Sequence, residues 1–185
     1  MSDRIDIMLD IETLGTTPGC IVLAAGLVVI RNNEIIYDSG EIVFNYADSL
    51  ASGFESNPET EAWWEAHDGV PQHYWNQPRH HVSTIGQLRT IVKIISGHIE
   101  QFGASEEVLY WSRGHFDYPI LSVYFNEYGM QPPWEGRHRQ MRDLRTALDV
   151  LQYDITGEPK YHRANLDAVQ QAEQLVKARH HFFNR

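Results

Sequence analysis

The chain has 185 residues, 42% of them hydrophobic and 11% aromatic, with 15 Lys+Arg against 25 Asp+Glu and one cysteine. Such a length suits a single compact domain over residues 1–185, and the composition argues against disorder. The lone Cys20 excludes an internal disulfide framework and a cysteine zinc cluster, and it favours a reducing compartment.

The net charge of −10 counts mildly against a protein that grips long stretches of polynucleotide backbone, which usually needs a basic face. It does not count against a site that holds a chain end through metal ions. The N-terminal Met-Ser-Asp-Arg-Ile-Asp has no apolar core of a signal peptide. The apolar run Cys20 to Ile30 is far shorter than the roughly 20 residues that span a bilayer. The expectation is a cytoplasmic protein with no membrane partner.

The opening reads as three strands. Ile5–Asp10 is an apolar run ending in acid, Cys20–Ile30 is rich in Val and Ile, and Glu34–Tyr37 follows the turn pair Asn32-Asn33. Glu41–Tyr46 either extends the third strand or forms another, and residues 47–57 read as a surface loop. The period then changes. Asn57-Pro58-Glu59-Thr60-Glu61 carries the marks of a helix start, with a capping Asn, Pro at the first helical position and early acids. Ser83 caps a longer helix whose apolar residues fall at Ile85, Leu88, Ile91, Ile95, Ile99 and Phe102. Glu107–Trp111 predicts a strand, and a helix runs from near Phe116 to Tyr128, stopped by Gly129. Residues 130–140 form a loop, and Arg142–Leu151 and Asn165–Arg179 read as helices. Strands first, then helices alternating with further strands, predict an α/β or α+β fold on a mixed sheet.

Three clusters carry chemistry. Asp10-Ile11-Glu12-Thr13-Leu14-Gly15 places two carboxylates two apart on a strand, hence on one side of it. Like charges that close repel, and either they are two solvated acids at an exposed strand end or a bound divalent cation resolves the repulsion, for which oxygen ligands alone suit Mg²⁺ or Mn²⁺. Asp117, after a strand and opening a helix, reads by itself as a helix-start acid stabilised by the macrodipole, and becomes a site candidate only together with the other clusters. In Tyr161-His162-Arg163-Ala164-Asn165-Leu166-Asp167, His162 and Asp167 share a site only if the His lies in the loop before the helix.

The ordered set of an Asp-x-Glu, a mid-chain Phe-Asp and a late His-x-x-x-x-Asp resembles the DEDD exonucleases of the His subtype, the ribonuclease H-like 3′–5′ exonucleases. The similarity looks closest to a branch with short phage and bacterial members. It extends to Glu59-Thr60-Glu61-Ala62-Trp63-Trp64, Trp111-Ser112-Arg113-Gly114 and Arg142-Asp143-Leu144-Arg145-Thr146. Arg163 directly after His162 departs from the family's frequent Asn. The resemblance implies an α/β ribonuclease H-like fold, a mixed central sheet with its first three strands antiparallel and helices on both sides. It also implies a two-metal site. Asp10, Glu12 and Asp167 would hold the first ion, Asp10 would bridge, Asp117 would hold the water shell of the second, and His162 would be the general base. Thr13 and Leu14 would line the pocket for the terminal nucleotide. The implied partner is nucleic acid with a free 3′ end, in a bacterial or phage-infected cell, and a homodimer is compatible with all of this.

Other residues suit plainer roles. Trp63-Trp64 and the stripe from Ile85 to Phe102 read as core, Trp111 and Phe116 as packing or base stacking, and His80-His81 and His180-His181 as solvated. Arg137, His138, Arg139 and Arg142 form a local basic cluster that either touches phosphates or is simply solvated. Two rival functions remain. Asp10-Ile11-Glu12-Thr13 echoes the start of a haloacid dehalogenase-type phosphatase, but Glu12 is the wrong length there and no downstream Gly-Asp-x-x-x-Asp follows. A catalytically inactive nucleic-acid-binding module on the same fold would lack one of the four acids or the His.

Overall fold

The computed structural model describes residues 4–67, 74, 82–102, 107–155 and 161–183. Five strands, β1 (Ile5–Thr13), β2 (Val22–Arg31), β3 (Glu34–Val43), β4 (Val108–Ser112) and β5 (Met141–Asp143), form one sheet in the order β3-β2-β1-β4-β5. The helices are α1 (Tyr46–Ala51), α2 (Pro58–Glu65), α3 (Thr84–Phe102), α4 (Asp117–Glu127), α5 (Leu144–Val150) and α6 (Ala164–Phe183). The first three strands are antiparallel neighbours, whereas β4 runs parallel to β1 and β5 parallel to β4. The central strand is thus β1, and the sheet is mixed as expected.

Alternation along β1 divides the core between two faces. Ile5, Ile7, Leu9 and Ile11 pack with Leu88, Ile91 and Ile95 of α3 and with Leu121, Tyr124 and Phe125 of α4. Met8 points the other way, to Leu144 and Leu148 of α5 and to Ala168, Ala172 and Leu175 of α6. Helices therefore cover both sides. Asp6, Asp10 and Glu12 share the parity of Met8 and face α6.

Local signals in the sequence act as expected. Asn32 and Asn33 both adopt positive φ (52° and 61°), which the tight β2–β3 hairpin demands. The Asn57 carboxamide accepts the N–H groups of Glu59 and Thr60 at 2.8 and 3.2 Å, and Ser83 Oγ accepts that of Gly86 at 3.3 Å. Gly129 ends α4 with φ 63°. Three expectations are corrected. The stretch read as a loop at 47–57 contains α1, capped by Asn45, whose side chain accepts the Asp48 N–H. Arg142 and Asp143 belong to β5, so α5 starts only at Leu144, with Asp143 as its cap. Trp63 and Trp64 part company: Trp64 is buried, its indole N–H donating to the Thr13 carbonyl at 2.8 Å, while Trp63 is 39% exposed. No helix among the described residues is long and apolar enough to cross a membrane.

Candidate active site

Parallel pairing of β1 with β4 brings the carboxyl ends of both strands to one edge of the sheet, where open α/β folds hold ligands. The pairing stops at Met8–Trp111. Beyond it β1 continues alone on that side, and its Ile11 N–H donates to Asp117 Oδ1 at 3.0 Å. The acid that opens α4 is thereby fastened next to Asp10, although 106 residues separate it from Ile11.

From the opposite side α6 supplies Asp167. One carboxylate oxygen each from Asp10, Glu12 and Asp167 fits within 4.8 Å of the others. Asp117 stands outside that triplet and lines the same cleft, together with His162, Arg113 and Arg145. The cleft measures about 810 Å³. One turn beyond Asp167, Gln171 donates its amide to Asp10 Oδ1 at 2.6 Å. Gln171 was absent from the sequence reading, although the i, i+4 spacing from Asp167 puts both on one helix face.

His162 does lie in the loop before the helix. Its φ of 51° is left-handed, uncommon outside glycine. The Asp167 carboxylate holds this turn by accepting the N–H groups of Tyr161 and Arg163 at 3.2 and 3.1 Å. The imidazole meets Trp63 edge-on at 4.9 Å between centroids, and Trp63 stacks on His67 at 4.0 Å.

Burial sets the electrostatics. It raises Asp10 well above the usual carboxylate range, helped by repulsion from Asp117, Glu12 and Asp167. Glu12 is raised in the same way, by burial and then by Asp167, Asp117 and Glu41. Asp117 is pushed up to about 7 by burial, against the N–H of Ile11, its own N–H and the charge of Arg145. Among the described residues no Lys or Arg forms an ion pair with Asp10, Glu12 or Asp167. Hard oxygen donors, mutually repelling and short of protein cations, are a donor set that fits divalent cations of the Mg²⁺ class.

The remaining expected residues scatter. Thr13 borders a side cavity of about 390 Å³ with Trp63 and Phe116. Leu14 is corrected: it is 2% exposed and packed in the main core, because its backbone N–H and carbonyl are tied to Ile21 and Asn57. Trp111 is buried and donates to Asp6 at 2.7 Å, so packing is its role. His138 and Arg142 border a second side cavity, which shares Gly114 and His115 with the main cleft. His180 and His181 are exposed, and His80-His81 fall outside the described residues.

A family model, the 3′-5′ exoribonuclease Rv2179c-like domain, matches residues 5–180. The chain belongs to this family. It is thus a member of a DEDD-type exonuclease family, which favours the nuclease reading over the phosphatase. The product-bound structure of exonuclease I is similar to this exoribonuclease-family chain with a TM-score of 0.54 and 13% identity. The match covers 100% of this chain and 44% of that one, so the chain spans less than half of exonuclease I. The likeness is one of fold, and the fold is ribonuclease H-like. No curated protein matches the chain.

Proposed function

We propose that the protein is a 3′–5′ exonuclease, with residues 1–185 as a single catalytic domain, that releases 3′-terminal nucleotides as 5′-monophosphates. One observation carries the reading: Asp10, Glu12 and Asp167 converge within 4.8 Å at the floor of a cleft large enough for a nucleotide. In this assignment Asp10, Glu12 and Asp167, with Asp117 beside them, would hold divalent cations of the Mg²⁺ class. Such cations stabilise the attacking and leaving oxygens of an in-line displacement at phosphorus. His162 accepts the proton of the attacking water at an imidazole nitrogen, and its cleft position supports that role. Arg113 and Arg145 offset phosphate charge in an otherwise acidic protein. Exposed Trp63 and half-buried Phe116, which line the side cavity with Thr13, give the terminal base a stacking surface.

The family description favours RNA as substrate. The test is a 5′-labelled panel of single- and double-stranded RNA and DNA with Mg²⁺ or Mn²⁺. The expected result is a ladder shortening from an open 3′ end, strongest on RNA, and none from Asp10→Asn. Internal cuts in a 3′-blocked strand would refute exonucleolytic action, and a ladder only on DNA would refute the RNA preference.

A further inference from the structure

The row of residues that crosses the sheet at Asp10 has a second acidic end. Asp10 pairs with Gly26 on β2, and Gly26 pairs with Glu41 on β3. The middle position has no side chain to spare. A Cβ on Gly26 would lie 2.3 Å from the Ala164 carbonyl oxygen and 2.5 Å from the Asn165 Cα. The segment leading into α6 therefore rests directly on the sheet backbone, a seat that only glycine leaves open.

Glu41 follows Gly40, whose φ of 62° bends the strand, and it is 7% exposed. Its two carboxylate oxygens accept from Arg163 Nε and Nη2 at 3.3 and 3.1 Å, a two-pronged pair. The Tyr74 hydroxyl lies 3.4 Å from both the Glu41 carboxylate and the His162 carbonyl. Meanwhile the Arg163 backbone N–H donates to Asp167. The residue next to the imidazole is thus fastened twice, through its side chain to β3 and through its backbone to a metal-ligand candidate.

We infer that Glu41, Arg163 and Gly26 are positioning residues, which hold the left-handed turn at His162 so that its imidazole keeps its place in the wall of the cleft. The inference rests on the assignment of His162 as the base. It also accounts for the cation that follows the His. A guanidinium already shared with a buried carboxylate would leave that charge uncompensated if it swung away to a phosphate, a costly exchange. An unsupported His in this backbone conformation would relax, and misplacing a reacting group by about 1 Å costs on the order of 10²-fold in rate.

The test uses Glu41→Gln, Arg163→Gln, Arg163→Lys and the Glu41→Gln/Arg163→Gln pair in the full chain. The readouts are kcat and KM on RNA, the Mg²⁺-induced rise in Tm, and amide hydrogen exchange at Tyr161 and Arg163. Each variant should lose roughly 10²-fold in kcat with KM nearly unchanged and the Mg²⁺ effect on Tm retained. The double variant should be no worse than the singles, since the two groups act as a unit. Lysine should not rescue, because it lacks the planar fork. Both amides should exchange faster. A raised KM at unchanged kcat in Arg163→Lys, with Glu41→Gln silent, would make Arg163 a phosphate ligand and overturn the inference. So would unchanged amide exchange in a folded Glu41→Gln. If His162→Ala kept full turnover, the base assignment would fall, while faster exchange in Glu41→Gln would still show that the pair holds the turn.

Discussion

Two acids on the same face of β1 meet opposite fates. Asp6 is 3% exposed, and its carboxylate takes both Arg179 guanidinium prongs at 2.8 and 3.0 Å and the Trp111 indole N–H at 2.7 Å. Four residues on, about 13 Å at ~3.3 Å per residue, Asp10 receives the neutral amide of Gln171 and repels three other carboxylates. One helix, α6, supplies both answers: Arg179 near its end for Asp6, Asp167 near its start beside Asp10 and Glu12. A buried carboxylate that serves the fold is matched by a cation from within the chain. The pair beside Asp167 has no such cation from the described residues, and under the proposed function one from outside would take that place.

Removing a carboxylate at the two ends should therefore have opposite consequences. Asp10→Asn, Glu12→Gln and Asp167→Asn should each lower exonuclease turnover at least about a thousandfold, through lost cation affinity and lost stabilisation of transition-state charge. Stability without metal should hold or rise, because one of several repelling charges is gone. Turnover with Mg²⁺ and Tm in EDTA check both halves. A variant that turns over normally would show that its acid was misassigned.

His162→Ala separates proton transfer from charge. Loss of a general base costs about 10²–10⁴ in rate. The variant should lie in that range while keeping the Mg²⁺-induced rise in Tm that Asp10→Asn loses. A loss below about tenfold would remove His162 from the reaction.

The motif at one end of this contrast was legible in the sequence, whereas the pairing of Asp6 with Arg179, 173 positions apart, was not. The Asp-x-Glu on an apolar run, the Asn and Ser caps and the glycine after α4 are local signals, and each acts over a few residues. What escaped the reading is long-range or too short to show a period. Glu41 reads as one of many strand acids until Arg163 arrives from 122 positions away. Helix α1 has six residues, too few for an apolar stripe. Trp63 and Trp64 are adjacent, and adjacent helical residues face about 100° apart, so Trp64 entered the core while Trp63 stayed exposed beside the side cavity. Leu14 was placed at the nucleotide by resemblance alone, and the backbone bonds around it turn its side chain into the core instead.

At the other end of the strand, Asp6→Asn should leave Arg179 buried without its counter-charge. Breaking such a pair from one side costs about 3–5 kcal/mol. Chemical denaturation should show that loss, while turnover of the folded fraction stays at the parental level because the site lies well beyond contact. Unaltered stability would mean that Asn33, whose side chain also accepts from Arg179 at 3.4 Å, suffices as a partner.

The smallest effect is a slope. Asp10 and Glu12 are raised in the folded protein, and Asp117 titrates near 7 against an ordinary value of 3.8. Well below pH 4 these acids carry protons in both the folded and unfolded chain, and they contribute nothing to stability. As pH climbs past their ordinary values, the unfolded chain releases protons that the folded site retains. Stability then falls with rising pH, and for Asp117 the fall ends once pH passes about 7. In EDTA, Tm should thus decline by a few °C between about pH 5 and pH 8 on account of the cluster. Mg²⁺ should recover most of it by supplying the missing counter-charge. Asp117→Asn removes one titrating group without adding another, so its Tm should decline less steeply than the parent's. Parallel slopes for parent and variant would mean that Asp117 ionises in the folded protein as easily as in the unfolded chain, and the contrast between the two ends of β1 would then rest on Asp10 and Glu12 alone.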